Sequence, residues 1–133
     1  MTIFVWLNFL LNKLQIIALT RRHFSFDEIG LFHLDDSLRI DRLVEIKSNL
    51  KIKELMYLST CNRVEFIMNT NQKIDQFFLE SLVSMFVPSN QIALIISNIE
   101  IFTEKTAVHH LFSLASSIDS LVVGEREIIT QVR

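Results

Sequence analysis

Apolar residues fall into short runs and periodic stretches along the chain. Positions 14–19 form an apolar run centred on Ile16 and Ile17 and ended by Arg21 and Arg22, the pattern of a buried strand. Ser25, Asp27 and Glu28 supply helix-start chemistry, a capping oxygen and first-turn acids, ahead of Ile29, Leu31, Phe32 and Leu34. The spacing then predicts a helix over 37–50 with Ile40, Leu43, Ile46 and Leu50 inward. Strands at 54–59 and 64–69 follow, the second alternating Val64, Phe66 and Met68 against Glu65, Ile67 and Asn69. Thr60, Cys61, Asn62 and Arg63 join them. Ile74, Phe77, Phe78, Ser81, Leu82 and Met85 share one helical face that ends before Pro88. A strand near 99–102, a helix from 104 to about 118 and a helical stretch from Arg126 complete the order. This β-α-β-β-α-β order predicts an α+β fold, a ferredoxin-like split βαβ antiparallel sheet with helices on one face, followed by the start of a long C-terminal helix.

Residues 3–11 are almost wholly apolar, yet too few to span a bilayer. No Lys or Arg precedes Lys13, so the basic start of a secretory signal is missing. Residues 1–13 are expected to be an apolar leader or N-terminal extension, with no membrane anchor, and 14–133 one domain. The amphipathic pattern Glu127, Ile128, Ile129, Gln131, Val132 reaches Arg133 without a Gly, Asn or Pro to stop it, as expected of a piece of a longer protein.

Composition narrows the function. The chain has 133 residues, 50% hydrophobic and 21% charged with a net charge of -2, which fits one compact domain and lacks the strongly basic balance of a dedicated nucleic-acid binder. The clusters Arg21, Arg22, His23 and Lys47, Lys51, Lys53 read as solvated surface. One cysteine allows no internal disulfide, and with four histidines it makes no structural zinc site, so a reducing cytoplasm is the simplest compartment. Two glycines, Gly30 and Gly124, cannot build a glycine-rich phosphate loop.

Cys61 and Arg63 are two apart, which in an extended segment puts them on one side. A guanidinium beside a thiol favours the nucleophilic thiolate and can grip a carboxylate with two hydrogen bonds. A buried structural cysteine satisfies the same residues. His110 shares a stripe with Ala107, Leu111, Leu114 and Ile118, as either a core histidine or a proton carrier near the thiol. The segment from Asp119 to Glu127 is a helix corner or a polar wall for a small charged substrate. The residues alone leave open an enzyme, a regulatory or interaction domain with a structural cysteine, and a cysteine hydrolase.

Two stretches decide more. Ser59-Thr60-Cys61-Asn62-Arg63-Val64-Glu65, and His110 to Glu125 continuing to Gln131-Val132-Arg133, resemble the two signatures of glutamyl-tRNA reductase in order and separation. The resemblance runs from about Leu14 to the C-terminus. It implies the N-terminal catalytic domain and the start, near residue 120, of the linking spinal helix of an NADPH-dependent oxidoreductase. That enzyme performs the first step of tetrapyrrole (5-aminolevulinate, heme) biosynthesis, reducing glutamyl-tRNA to glutamate-1-semialdehyde through a cysteine thioester. By the same resemblance Cys61 is the nucleophile and His110 a histidine needed for full activity. Thr60, Asn62, Arg63, Ser120, Glu125, Arg126, Glu127 and Gln131 join Cys61 as substrate contacts. It further implies a cytoplasmic homodimer, an NADPH domain and a dimerisation domain beyond this chain, no metal, and the downstream semialdehyde aminomutase as a partner. The chain departs from the family at Arg126 and Glu127, where Pro and Gln are common, and at Leu19-Thr20-Arg21-Arg22, where the family has Asn-His-Lys-Thr.

Overall fold

In a computed structural model the chain is described for residues 13–116. The elements are β1 (Leu14–Thr20), α1 (Phe26–Gly30), α2 (Arg39–Asn49), β2 (Glu54–Thr60), β3 (Arg63–Asn69), α3 (Gln76–Val83), α4 (Ser89–Asn98), β4 (Glu100–Thr103) and α5 (Glu104–Ala115). The four strands form one sheet in the order β2-β3-β1-β4, every neighbour antiparallel. Among the described residues no helix is long and apolar enough to cross a membrane.

The central strands explain why the sheet needs cover on both sides. Ile16, Ile17 and Ala18 of β1 are all sealed from solvent, as are Val64, Glu65 and Phe66 of β3. Successive strand residues point to opposite faces, so both faces are inside the protein. On one face Ile17, Leu19, Val64, Phe66 and Met68 pack with Ile29 of α1, Ile46 of α2, Phe78 and Leu82 of α3 and Ile95 of α4. On the other, Ile16 and Ile67 meet Ala107 of α5, and Leu58 meets Leu114. The expected single helical face is therefore corrected: α5 occupies the second one.

Local chemistry sets the helix ends. Ser25 caps α1 in a reciprocal arrangement, its hydroxyl accepting from the Glu28 amide at 3.2 Å while the Glu28 carboxylate accepts from the Ser25 amide at 2.7 Å. Asp75 caps α3 through the Phe78 amide. That cap turns the helix so that Phe78, Leu79, Leu82 and Val83 face the core and Phe77 faces water, a rotation from the expected stripe. In α2, Leu43 and Ile46 face the core and Ile40 does not. Arg39 takes the inward first-turn position instead, its guanidinium lying 5.6 Å from the Tyr57 ring centre. Helix α4, which no expectation covered, begins directly after Pro88.

Helix α2 ends with Lys51 in the left-handed region at φ 54°. The Lys51 amide donates to Ser48 and the Ile52 amide to Lys47, while buried Ile52 and Ile46 share the core. This is the two-bond helix stop that usually carries glycine. Lys51→Gly is expected to stabilise the fold by about 0.5–1 kcal/mol. A rise in the urea unfolding midpoint checks it.

Candidate active site

The β2–β3 hairpin is unusually tight at its tip. Thr60 and Arg63 still pair across the ladder, which leaves Cys61 and Asn62 as the only turn residues. Neither has the positive φ that the commonest two-residue loops require. Two bonds hold the tip, one within the hairpin and one from outside it: the Asn62 amide donates to the Thr60 hydroxyl at 3.2 Å, and the Asn62 carbonyl accepts from the Arg21 amide at 3.1 Å. Asn62 is thereby buried while Cys61 stands exposed. Because Cys61 lies in the turn, strand alternation does not carry it to Arg63's side, contrary to the expectation from their spacing.

Alternation does govern Arg63 onward. Arg63 and Glu65 project to the α5 face, both buried, with Arg63 Nη1 3.9 Å from Glu65 Oε2. His110 reaches the same carboxylate from α5, its Nε2 against Glu65 Oε1, and its ring stacks on Phe102 at a centroid distance of 4.0 Å. A buried carboxylate thus faces a guanidinium and an imidazole, an arrangement that fixes both side chains on the α5 face of the sheet. His110 is buried at the core border, as its stripe predicted, and its partners are Glu65 and Phe102.

The opposite side of Cys61 is different. Phe26, Ile29, Gly30, His33, Thr60 and Cys61 line an open cavity of about 360 Å³. His33 Nδ1 lies 3.0 Å from Ser59 Oγ. The Tyr57 hydroxyl, half-buried, accepts from the Leu34 amide and donates to the Phe32 carbonyl, both at 3.0 Å, and so ties the His33 segment to the sheet. Arg21 stacks on Phe26 with its guanidinium 3.7 Å from the ring centre.

Residues 17–133 match the family model described as glutamyl-tRNAGlu reductase, N-terminal domain. The chain belongs to this family. Among proteins named glutamyl-tRNA reductase, that of Campylobacter jejuni strain 81-176 is 40% identical over 88 residues, covering 66% of this chain and 20% of the relative. That of Helicobacter pylori J99 is 33% identical over 129 residues, covering 92% and 28%. The structure of glutamyl-tRNA reductase from Methanopyrus kandleri superposes with a TM-score of 0.63 at 22% identity, over 90% of this chain and 26% of that one, which establishes a common fold. The chain thus spans between 20% and 28% of the length of these two relatives.

Within this reductase-family domain the expected site residues divide. Thr60, Cys61, Asn62 and Arg63 come together at the hairpin, and His110 joins Arg63 through Glu65. Ser120, Glu125, Arg126, Glu127 and Gln131 lie outside the described residues. Glu65 and His33 were not assigned roles by sequence. Glu65 is legible in retrospect, since an acid two residues from Arg63 on a strand shares its face. His33 carries no such signal. The departure Thr20-Arg21-Arg22 now has partners of its own: Thr20 Oγ1 donates to Glu100 at 3.3 Å, and the Arg21 amide holds the hairpin tip. Among the described residues no group of three or more His, Cys, Asp or Glu side chains could hold a metal.

Proposed function

We propose that this chain is the domain in which glutamyl-tRNA is opened by the Cys61 thiolate, the first half of a reduction to glutamate-1-semialdehyde that begins tetrapyrrole synthesis in the cytoplasm. The observation that carries the reading is an exposed thiol at a tethered hairpin tip, leading directly into Arg63 and the buried Glu65 and His110. Sulfur attacks the ester carbonyl, a carbon–sulfur bond forms, the carbon–oxygen bond to the tRNA ribose breaks, and the ribose oxygen takes a proton. Arg63 recognises the glutamyl carboxylate through its planar pair of donors. Thr60 and Asn62 shape the tip, His110 serves the thiol's side of the reaction, and Ser120, Glu125, Arg126, Glu127 and Gln131 complete the substrate wall. The domain in this reading covers residues 14–133. Its split βαβ, ferredoxin-like character is supported by β3 lying between β1 and β2 in the sheet.

In the parent enzyme NADPH supplies the hydride that reduces the thioester. The residues here do not fit that cofactor: Gly30 sits at the end of α1 and the sequence has only one other glycine, so no glycine-rich loop can cradle its phosphates. No hydride step is assigned to them. Dimerisation and hand-over of the aldehyde to an aminomutase belong to the full-length protein. With glutamyl-tRNA and NADPH, the chain is expected to release glutamate through slow hydrolysis of the thioester. Semialdehyde produced by this chain alone would overturn the division of labour.

Arg63→Lys keeps the charge and loses the fork. Acylation of Cys61 is expected to slow by about tenfold to a hundredfold, equivalent to one or two charge-assisted hydrogen bonds. Lys51→Ala, at an exposed position, is expected to leave the rate unchanged. Equal rates in the two variants would remove Arg63 from the site.

A further inference from the structure

We infer that the cavity beside Cys61 on the α1 face is the subsite for the terminal nucleoside of the tRNA, the leaving-group side of the ester. The inference rests on the thioester reading and goes beyond it by assigning the two sides of the substrate to the two faces of the sheet.

An ester carbonyl has an acyl branch and an alkoxy branch, and a nucleophile at that carbon must accommodate both in different directions. Cys61 stands at the hairpin tip, where the cavity adjoins it and the chain leads through Arg63 to the α5 face. On the α5 face lie Arg63, Glu65 and His110, buried polar side chains that the thioester reading assigns to the carboxylate-bearing acyl group. Toward α1 lies the cavity of about 360 Å³ walled by Phe26, Ile29 and Gly30, with His33 the one histidine among its lining residues. That volume falls in the range of small-molecule sites, about 300–1,000 Å³. Its walls are apolar and aromatic, the surface on which proteins seat nucleobases. Gly30 is an exposed lining residue, and a Cβ built on it meets nothing within 4 Å, so a larger side chain there would project into open space beside the cavity. Arg21, stacked on Phe26 at 3.7 Å, brings a cation to the same wall, where the phosphate preceding a terminal nucleoside would run. His33, held by Ser59 and by the Tyr57-anchored backbone, is positioned to hydrogen-bond a ribose hydroxyl.

Cys61 is the sole cysteine of the chain and lines this cavity, so its alkylation by iodoacetamide reads the accessibility of that one thiol. Adenosine monophosphate at about ten millimolar is expected to slow alkylation by about fivefold or more, the effect of a millimolar dissociation constant. Ribose 5-phosphate, which lacks the base, is expected to leave the rate near that of the free protein. Gly30→Leu, which adds a bulky side chain to the lining, is expected to abolish protection. Phe26→Ala removes an exposed ring with little cost to the core and serves as the second variant, also expected to lose protection. Equal alkylation with and without adenosine monophosphate, or protection that survives both substitutions, would overturn the proposal. Protection without any glutamyl adduct from glutamyl-tRNA would keep the nucleoside subsite and overturn the thioester reading. An adduct without protection would do the reverse.

Discussion

Serine in place of Cys61 is expected to reduce glutamyl transfer from glutamyl-tRNA to the protein to below about one-thousandth of the original rate. A serine hydroxyl stays protonated near neutral pH and is a far weaker nucleophile than a thiolate. The fold has little stake in this residue, because Cys61 is exposed and the turn is held by the Asn62 amide, the Asn62 carbonyl and the Thr60 hydroxyl. Unfolding of Cys61→Ser is accordingly expected to match that of the unsubstituted chain. Loss of transfer together with loss of the fold would make the cysteine a structural residue.

The largest effect on stability is expected at Glu65. Its carboxylate is sealed from solvent and faces Arg63 on one oxygen and His110 on the other. Removing one partner from a buried charged cluster costs about 3–5 kcal/mol, since the remaining charge loses the group that offset its desolvation. Glu65→Gln keeps the volume and loses the charge. It is expected to destabilise the chain by about 3 kcal/mol in urea unfolding and to slow acylation as well, because Arg63 and His110 lose a common anchor. Glu54→Gln, an exposed carboxylate on the edge strand, is the comparison and is expected to stay within about 0.5 kcal/mol. Equal unfolding midpoints for the two variants would contradict the anchoring role.

The sheet was largely legible because its strands are marked by local pattern. The 14–19 run reads as a strand because β1 is covered on both faces, and the strand expected near 99–102 is found one residue on, at Glu100–Thr103. The α1 start is written in Ser25 and Glu28. What escaped was set by neighbours distant in sequence. Helix α4 carries Ile92, Leu94, Ile95 and Ile96 in nearly unbroken succession, a run whose period does not separate helix from strand. The rotation of α3 depends on the Asp75 cap, and the placing of α5 on the second face depends on burial of β3 from both sides. At the site, Cys61 and Arg63 were recognised through a motif, whereas the seating of His33 beside the thiol depends on Tyr57 reaching the 32–34 segment from β2. No local pattern encodes that contact.

The account turns on whether Cys61 takes the acyl group. The most direct measurement is acid-quenched mass analysis of the chain after brief exposure to glutamyl-tRNA, followed by peptide mapping of the product. One glutamyl group on the peptide containing Cys61, removed by hydroxylamine and absent from Cys61→Ser, is the predicted result. An unmodified chain, or an adduct located on any other residue, would contradict the account.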